Sequence, residues 1–152
     1  MADTRQYCTF FLDDLFFGVE VQKVQEVIRY QQMTRVPLAP PEVSGMINLR
    51  GQIVTAIDLR RRLGLCDRLG ERLPMNVVVR GDDGAVSLLV DEIGDVQEVE
   101  EDRFEQPPET LKGIGRELIR GVYKLNGQLL LVLDTEAAMQ CSTEKQRTAE
   151  RN

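Results

Sequence analysis

One pattern occurs twice in this chain, and the repetition limits the possible folds more than any other feature. The first copy runs from Gly45 to Leu63, GMINLRGQIVTAIDLRRRL, and the second from Gly121 to Thr135, GVYKLNGQLLLVLDT. Laid over each other 76 positions apart, Gly45 falls on Gly121, Leu49 on Leu125, Gly51 on Gly127, Gln52 on Gln128 and Asp58 on Asp134. Each copy reads as a strand, a two-residue turn, a strand and a helix start. Arg50-Gly51 and Asn126-Gly127 supply the turns, because glycine reaches positive φ without steric cost and Asn-Gly is a strong hairpin signal. The apolar runs that follow read as largely buried strands. Asp58 and Asp134 fit helix N-caps, whose carboxylates accept from the free amides of the first turn. Leu59 and Leu63 share one helical face, and Gly64 ends that turn. A second echo keeps the same order: Val21, Val24 and Val27 recur as Val90, Ile93 and Val96, 69 positions on. Two echoes in one order imply an internal duplication.

The rest of the chain fits around this unit. Gln6 to Leu12 and Leu15 to Val19 predict a hairpin about Asp13-Asp14. Val21 to Ile28 switches from helical to extended spacing, a short helical turn running into a strand. Met33 to Pro41 holds Pro37, Pro40 and Pro41 and reads as extended loop. Gly64 to Pro74 is a polar linker and the expected seam between the repeats. Met75 to Arg80 and Ala85 to Val90 predict strands around the 81–84 loop, and Asp95 to Val99 another. Glu98 to Glu109 is acidic, carries Pro107-Pro108 and reads as surface loop. Leu118 to Leu125 and Gln128 to Leu133 form the second hairpin, Asp134 starts a helix through Met139, and 141–152 is a polar tail expected to fray. About ten strands with only short helices make an all-β chain, most simply two small barrels closed against free edges.

Composition removes several functions. Hydrophobic residues make up 42% of the 152, enough for a core, but aromatics are only 5% and Trp is absent, so the core should be aliphatic. The net charge of −6 argues against general nucleic-acid binding and against an anionic membrane surface. Arg60-Arg61-Arg62 is the one basic cluster and reads as a solvated helical turn. Cys8, Cys66 and Cys141 are odd in number, widely spaced and without a CxxC, so neither metal site nor disulfide framework follows, and a reducing cytosol is the simple expectation. No signal-peptide shape or spanning apolar run is present, and direct membrane insertion is not expected. With no histidine, the commonest general base and metal ligand is missing. Acidic pairs such as Asp82-Asp83 and Glu100-Glu101 sit in polar turns and read as solvated charge.

Asn48-Leu49-Arg50-Gly51 followed by Ile57-Asp58-Leu59-Arg60 resembles the central motif of the CheW family of chemotaxis-type coupling proteins. Phe17-Gly18-Val19 with Val24-Gln25-Glu26-Val27 is similar to that family's first block. Val90-Asp91 with Val96 resembles a later one, and Gly115 to Gly121 with Gly127 to Asp134 its close. The resemblance covers residues 5–140. It implies a single domain of two pseudo-symmetric five-stranded SH3-like barrels around a shared core, with segments exchanged between halves. It also implies no catalytic activity, no cofactor and no metal. The implied role is a cytoplasmic adaptor, a monomer when isolated, recruited to membrane receptor clusters through its partners. Those partners would be the cytoplasmic tip of a chemoreceptor and the regulatory domain of a CheA-type histidine kinase. Motif matching implies a kinase-binding surface of Val24, Glu26, Val27 and Gly45, and a receptor-binding groove with Arg50, Ile53 and Val77. Two positions depart from the family pattern: Ala56 stands where proline is usual, and Ser44 where a basic residue is common.

The residues also admit plainer readings. Gly45 and Gly121 read as backbone requirements at close strand contacts, and Asp58 and Asp134 as caps without chemistry. Arg50 differs from its counterpart Asn126, the better generic turn residue, which favours a binding role for the cation. Competing functions are a coupling protein of a non-flagellar pathway, a competitor of another coupling protein and, more distantly, a small-barrel nucleic-acid-binding module. The last needs a basic groove with stacking aromatics, and the acidic balance and absent Trp speak against it.

Overall fold

The computed structural model describes residues 3–67, 72–82, 84–111 and 115–139. The tail expected at 141–152, Cys141 within it, Asp83 and the middle of the 64–74 linker lie outside the described residues.

The first hairpin joins β1 (Thr4–Leu12) to β2 (Leu15–Glu20) through Asp13-Asp14. A 3-10 turn at Val21–Lys23 leads into β3 (Val24–Ile28). The first copy of the repeat supplies β4 (Val43–Leu49), β5 (Gln52–Asp58) and α1 (Leu59–Arg62). Then come β6 (Met75–Gly81) and β7 (Gly84–Val90), the short β8 (Glu92–Ile93) and β9 (Gln97–Glu100). The second copy supplies β10 (Ile119–Leu125), β11 (Gln128–Leu133) and a helix at 135–139. The all-β class with two SH3-like barrels is the fold that forms. Two strands differ from expectation: β8 forms where none was expected, and the strand expected at Asp95 to Val99 forms at Gln97–Glu100. β9 runs one residue past Val99, its single buried residue, into the acidic run that reads as loop.

Each sheet mixes the two halves of the chain. One has the order β3-β6-β7-β5-β4, the other β10-β11-β2-β1-β8 with β9 also on β1. The parallel pairings β5 with β7 and β11 with β2 bring each N-terminal hairpin into the sheet of the other half. Two backbone bridges close the rings. Thr34 and Met46 exchange hydrogen bonds of 2.8 Å, and Glu105 and Val122 exchange bonds of 2.9 and 2.8 Å. Met46 and Val122 are counterparts in the repeat.

The repeat carries its irregularities with it. The β4–β5 register breaks between Val43 and Gly45, and the β10–β11 register between their counterparts Ile119 and Gly121. Both glycines lie under the bridging segment. A Cβ on Gly45 would meet the Thr34 carbonyl oxygen at 2.8 Å, and one on Gly121 would meet the Glu105 carbonyl oxygen at 2.7 Å. Backbone cannot yield as a flexible side chain can, so glycine is required at both. Asp58 accepts from the Arg60 amide at 3.0 Å, and Asp134 from the Ala137 amide at 3.1 Å. The fainter echo holds only in its first part. Val24 and Ile93 take matching places opposite Val79 and Phe10, whereas Val96 lies outside any strand and is exposed.

Three apolar clusters result. The largest draws Phe10, Leu12 and Phe17 from one sheet and Ile57, Val77, Val79 and Leu88 from the other, so it belongs to both barrels. Tyr7, Phe16, Tyr123 and Leu130 form a cluster confined to the six-stranded sheet, and Ile47, Leu49, Val54 and Val78 its counterpart in the five-stranded one. At about 1.5–3 kcal/mol for each fully buried large side chain, the shared cluster is what holds the barrels as one body.

Candidate interaction surfaces

β3 lies at the edge of its sheet, antiparallel to β6, and its register breaks between Val24 and Glu26. A bulge inserts one residue and re-aims the side chains beyond it. Here it places Val24 and Val27 opposite Val79 and Val77, and Glu26 and Ile28 opposite Val78 and Asn76. Val24 is half-buried against the shared core, and Val27 is 38% exposed. Gly45 is buried beneath Met33 and Thr34.

Arg50 sits in the β4–β5 turn with φ 53 and Gly51 follows at φ 90, while the Asn48 side chain accepts from the Gly51 amide at 2.8 Å. In the second copy only Gly127 takes positive φ; Asn126 does not. The first turn therefore holds an arginine in the left-handed region, which costs a residue with a Cβ about 1 kcal/mol or more. The Arg50 guanidinium donates to the Glu26 carboxylate. Ile53, opposite Asn48, is 57% exposed. Thus Glu26 and Arg50, matched by motif to different surfaces, touch each other across the end of one barrel. Val77 does not join them at the surface. It is 1% exposed and packs in the shared cluster, because β6 is covered on both faces, with Val77 and Val79 in the shared cluster and Val78 in that of the five-stranded sheet, so its side chain is withdrawn from any groove.

The basic cluster departs from the solvated reading. A helix turns about 100° per residue, so with Leu59 and Leu63 facing inward only Arg61 points squarely away. Arg60 is 6% exposed at its side chain. Its Nε donates to Asp91 Oδ1 at 2.9 Å, its Nη2 to Asp91 Oδ2 and to Asp13, and its Nη1 to the Cys66 carbonyl at 2.8 Å. The Asp13 amide donates to Asp91 at 2.9 Å. The Asp91 hydrogen bond raises the Arg60 pKa above its ordinary value and outweighs the opposing effect of burial. The network ties α1 to the β1–β2 turn, and hence one barrel to the other. Arg61 turns outward to Asp67 at 3.0 Å, and Arg62 donates to the Ala137 carbonyl at 3.2 Å. The helical wheel carried this signal; the run of three like charges hid it.

A family model described as the CheW-like domain matches residues 6–142. The chain belongs to the CheW-like family. CheW from Treponema pallidum is 32% identical over 133 residues, covering 85% of this chain and 78% of that protein. CheW from Bacillus subtilis is 31% identical over 130 residues, covering 86% and 83%. Both are named chemotaxis proteins. The crystal structure of the scaffolding protein TtCheW from Thermoanaerobacter tengcongensis superimposes with a TM-score of 0.78 at 26% identity, covering 88% of this chain and 89% of that one. CheW family proteins are non-catalytic scaffolds built from two SH3-like barrels, the arrangement described above. Among the described residues no helix is long and apolar enough to cross a membrane.

Proposed function

We propose that this chain is a chemotaxis-type scaffold that couples the cytoplasmic tip of a chemoreceptor to the regulatory domain of a CheA-type histidine kinase. In this reading it works in the cytoplasm as an isolated monomer until its partners recruit it to receptor clusters. The observation that carries the proposal is the mixed patch on the five-stranded barrel, where exposed Val27 and Ile53 accompany the Glu26–Arg50 pair. Apolar side chains beside charged groups suit a protein interface, in which buried apolar contact supplies affinity and rim charge selects the partner. Val24, Glu26, Val27 and the backbone around Gly45 form the proposed kinase side. Arg50 and Ile53 form the proposed receptor side; Val77 is left out.

Two titrations test this. The protein is titrated calorimetrically into the kinase regulatory domain from its own organism, and separately into receptor-tip fragments. Val27→Asp is expected to weaken kinase binding at least about tenfold, since it buries a charge in the contact. Arg50→Ala is expected to weaken receptor binding while thermal unfolding stays unchanged. If both substitutions leave complex formation as it was, the surfaces are wrongly assigned.

A further inference from the structure

Leu38 has two unfavourable properties at once. Its side chain is fully exposed, and its backbone sits at φ 64 in the left-handed region. It occupies the third position of a turn closed by the Ala39 amide donating to the Val36 carbonyl at 3.4 Å, with Pro37 at the second. Proline followed by positive φ is the pattern of a type II turn, whose third position favours glycine or asparagine. A branched apolar residue there helps neither solubility nor the turn. Uncompensated backbone strain at an exposed site points to function.

The turn is also a firm base. On one side Thr34 is bonded to Met46 in both directions, over Gly45. On the other, the Val43 amide donates to Pro40 at 2.9 Å and Arg61 to the Pro41 carbonyl at 3.1 Å. Pro37, Pro40 and Pro41 stiffen what lies between, so a side chain held there loses little freedom on docking. The segment that carries the turn has a charge signature. Between Glu26 and Glu42 the chain has no acidic residue and two exposed arginines, Arg29 and Arg35, although its net charge is −6.

We propose that Leu38 is a docking knob that extends the kinase-facing side of the five-stranded barrel, filling an apolar socket on the kinase regulatory domain with acidic groups beside it. This rests on the function proposed above. The kinase is favoured over the receptor because the Leu38 turn continues the segment, Met33 and Thr34, that roofs Gly45, a residue of the proposed kinase side. Exposed Arg35, three residues before Leu38, calls for acidic groups beside the socket.

Leu38→Asn separates the two properties. Asparagine tolerates the left-handed region, so the variant is expected to keep or raise its Tm, by up to about 4 °C for a chain of this size. Its dissociation constant for the kinase regulatory domain is expected to rise at least about tenfold, with receptor-tip binding unchanged, while Leu38→Met keeps near wild-type affinity. Arg35→Glu is expected to slow association and reduce its salt dependence. If Val27→Asp weakens kinase binding and Leu38→Asn does not, the knob is overturned and the kinase face stands. If the wild-type protein binds no cognate kinase domain, the function proposed above fails and takes the knob with it. Loss of receptor binding, or of self-association in sedimentation, with kinase affinity intact would assign Leu38 to another occupant and overturn the proposal.

Discussion

Tyr7 lies 2% exposed in the cluster of the six-stranded sheet, its ring 5.7 Å from that of Tyr123. Burial, and then the Tyr123 hydroxyl, push its phenol above the ordinary 10.0. Burial also raises the Cys8 thiol above 9.0. A folded-state pKa raised above the unfolded one gives stability that is complete below the unfolded value and is lost as pH climbs toward the folded value. Stability should therefore hold up to about pH 9 and fall beyond, with the tyrosine part setting in near pH 10. In urea titrations at pH 8 and pH 11, the loss for Tyr7→Phe is expected to be smaller than for wild type; equal losses would show that the phenol does not govern the alkaline limb. Other single residues were readable in the sequence to different degrees. Gly45 and Gly121 were legible because close backbone contact leaves one residue type. Arg50 was legible as an anomaly through its counterpart Asn126, although not that it would itself take positive φ. Val77 was not, because motif matching carries a position across without its burial.

Among elements, α1 shows what local sequence can and cannot specify. Four residues are too few to be helical alone. Asp58 gives the start and Gly64, at φ 78, the end, and both were visible in sequence. What orients the helix is the Arg60–Asp91 pair, whose partners are 31 residues apart and meet only because β7 runs parallel to β5. Removing one partner of a buried, bidentate pair strands the other charge, at a cost of about 3–5 kcal/mol. Arg60→Ala is therefore expected to destabilise by that amount in chemical denaturation. Asp13→Ala, at a partner whose side chain is 58% exposed, is expected to cost less than about 1 kcal/mol. Similar effects from the two would mean that Asp91 does not dominate the network. The hairpins were legible for the same reason as the cap: antiparallel neighbours and their turns are adjacent in sequence. The parallel pairings were not, since nothing near β5 states that β7 will lie beside it.

At the scale of the whole molecule, those parallel pairings decide how the chain unfolds. The strands before the 64–74 linker include β1 and β2, which belong to the sheet of β10 and β11. Those after it include β6 and β7, which belong to the sheet of β3, β4 and β5. Neither half of the sequence contains a complete sheet, and the largest apolar cluster takes side chains from both sheets. Opening one barrel thus exposes the common core, and unfolding either half of the sequence takes strands from both sheets. Two barrels that would otherwise be candidates for independent melting are expected to unfold in one step, with the calorimetric enthalpy equal to the van't Hoff enthalpy. Two resolved transitions, or a ratio well above one, would mean that one barrel survives the loss of the core it shares with the other. The same coupling bears on the proposed function. A partner bound on the five-stranded barrel stabilises the native state by RT ln(1 + [L]/Kd). In a single cooperative unit that gain protects the strands of both barrels. Hydrogen exchange with the kinase domain bound is therefore expected to slow in β10 and β11 as well as in β3 to β5, for amides that exchange through global unfolding.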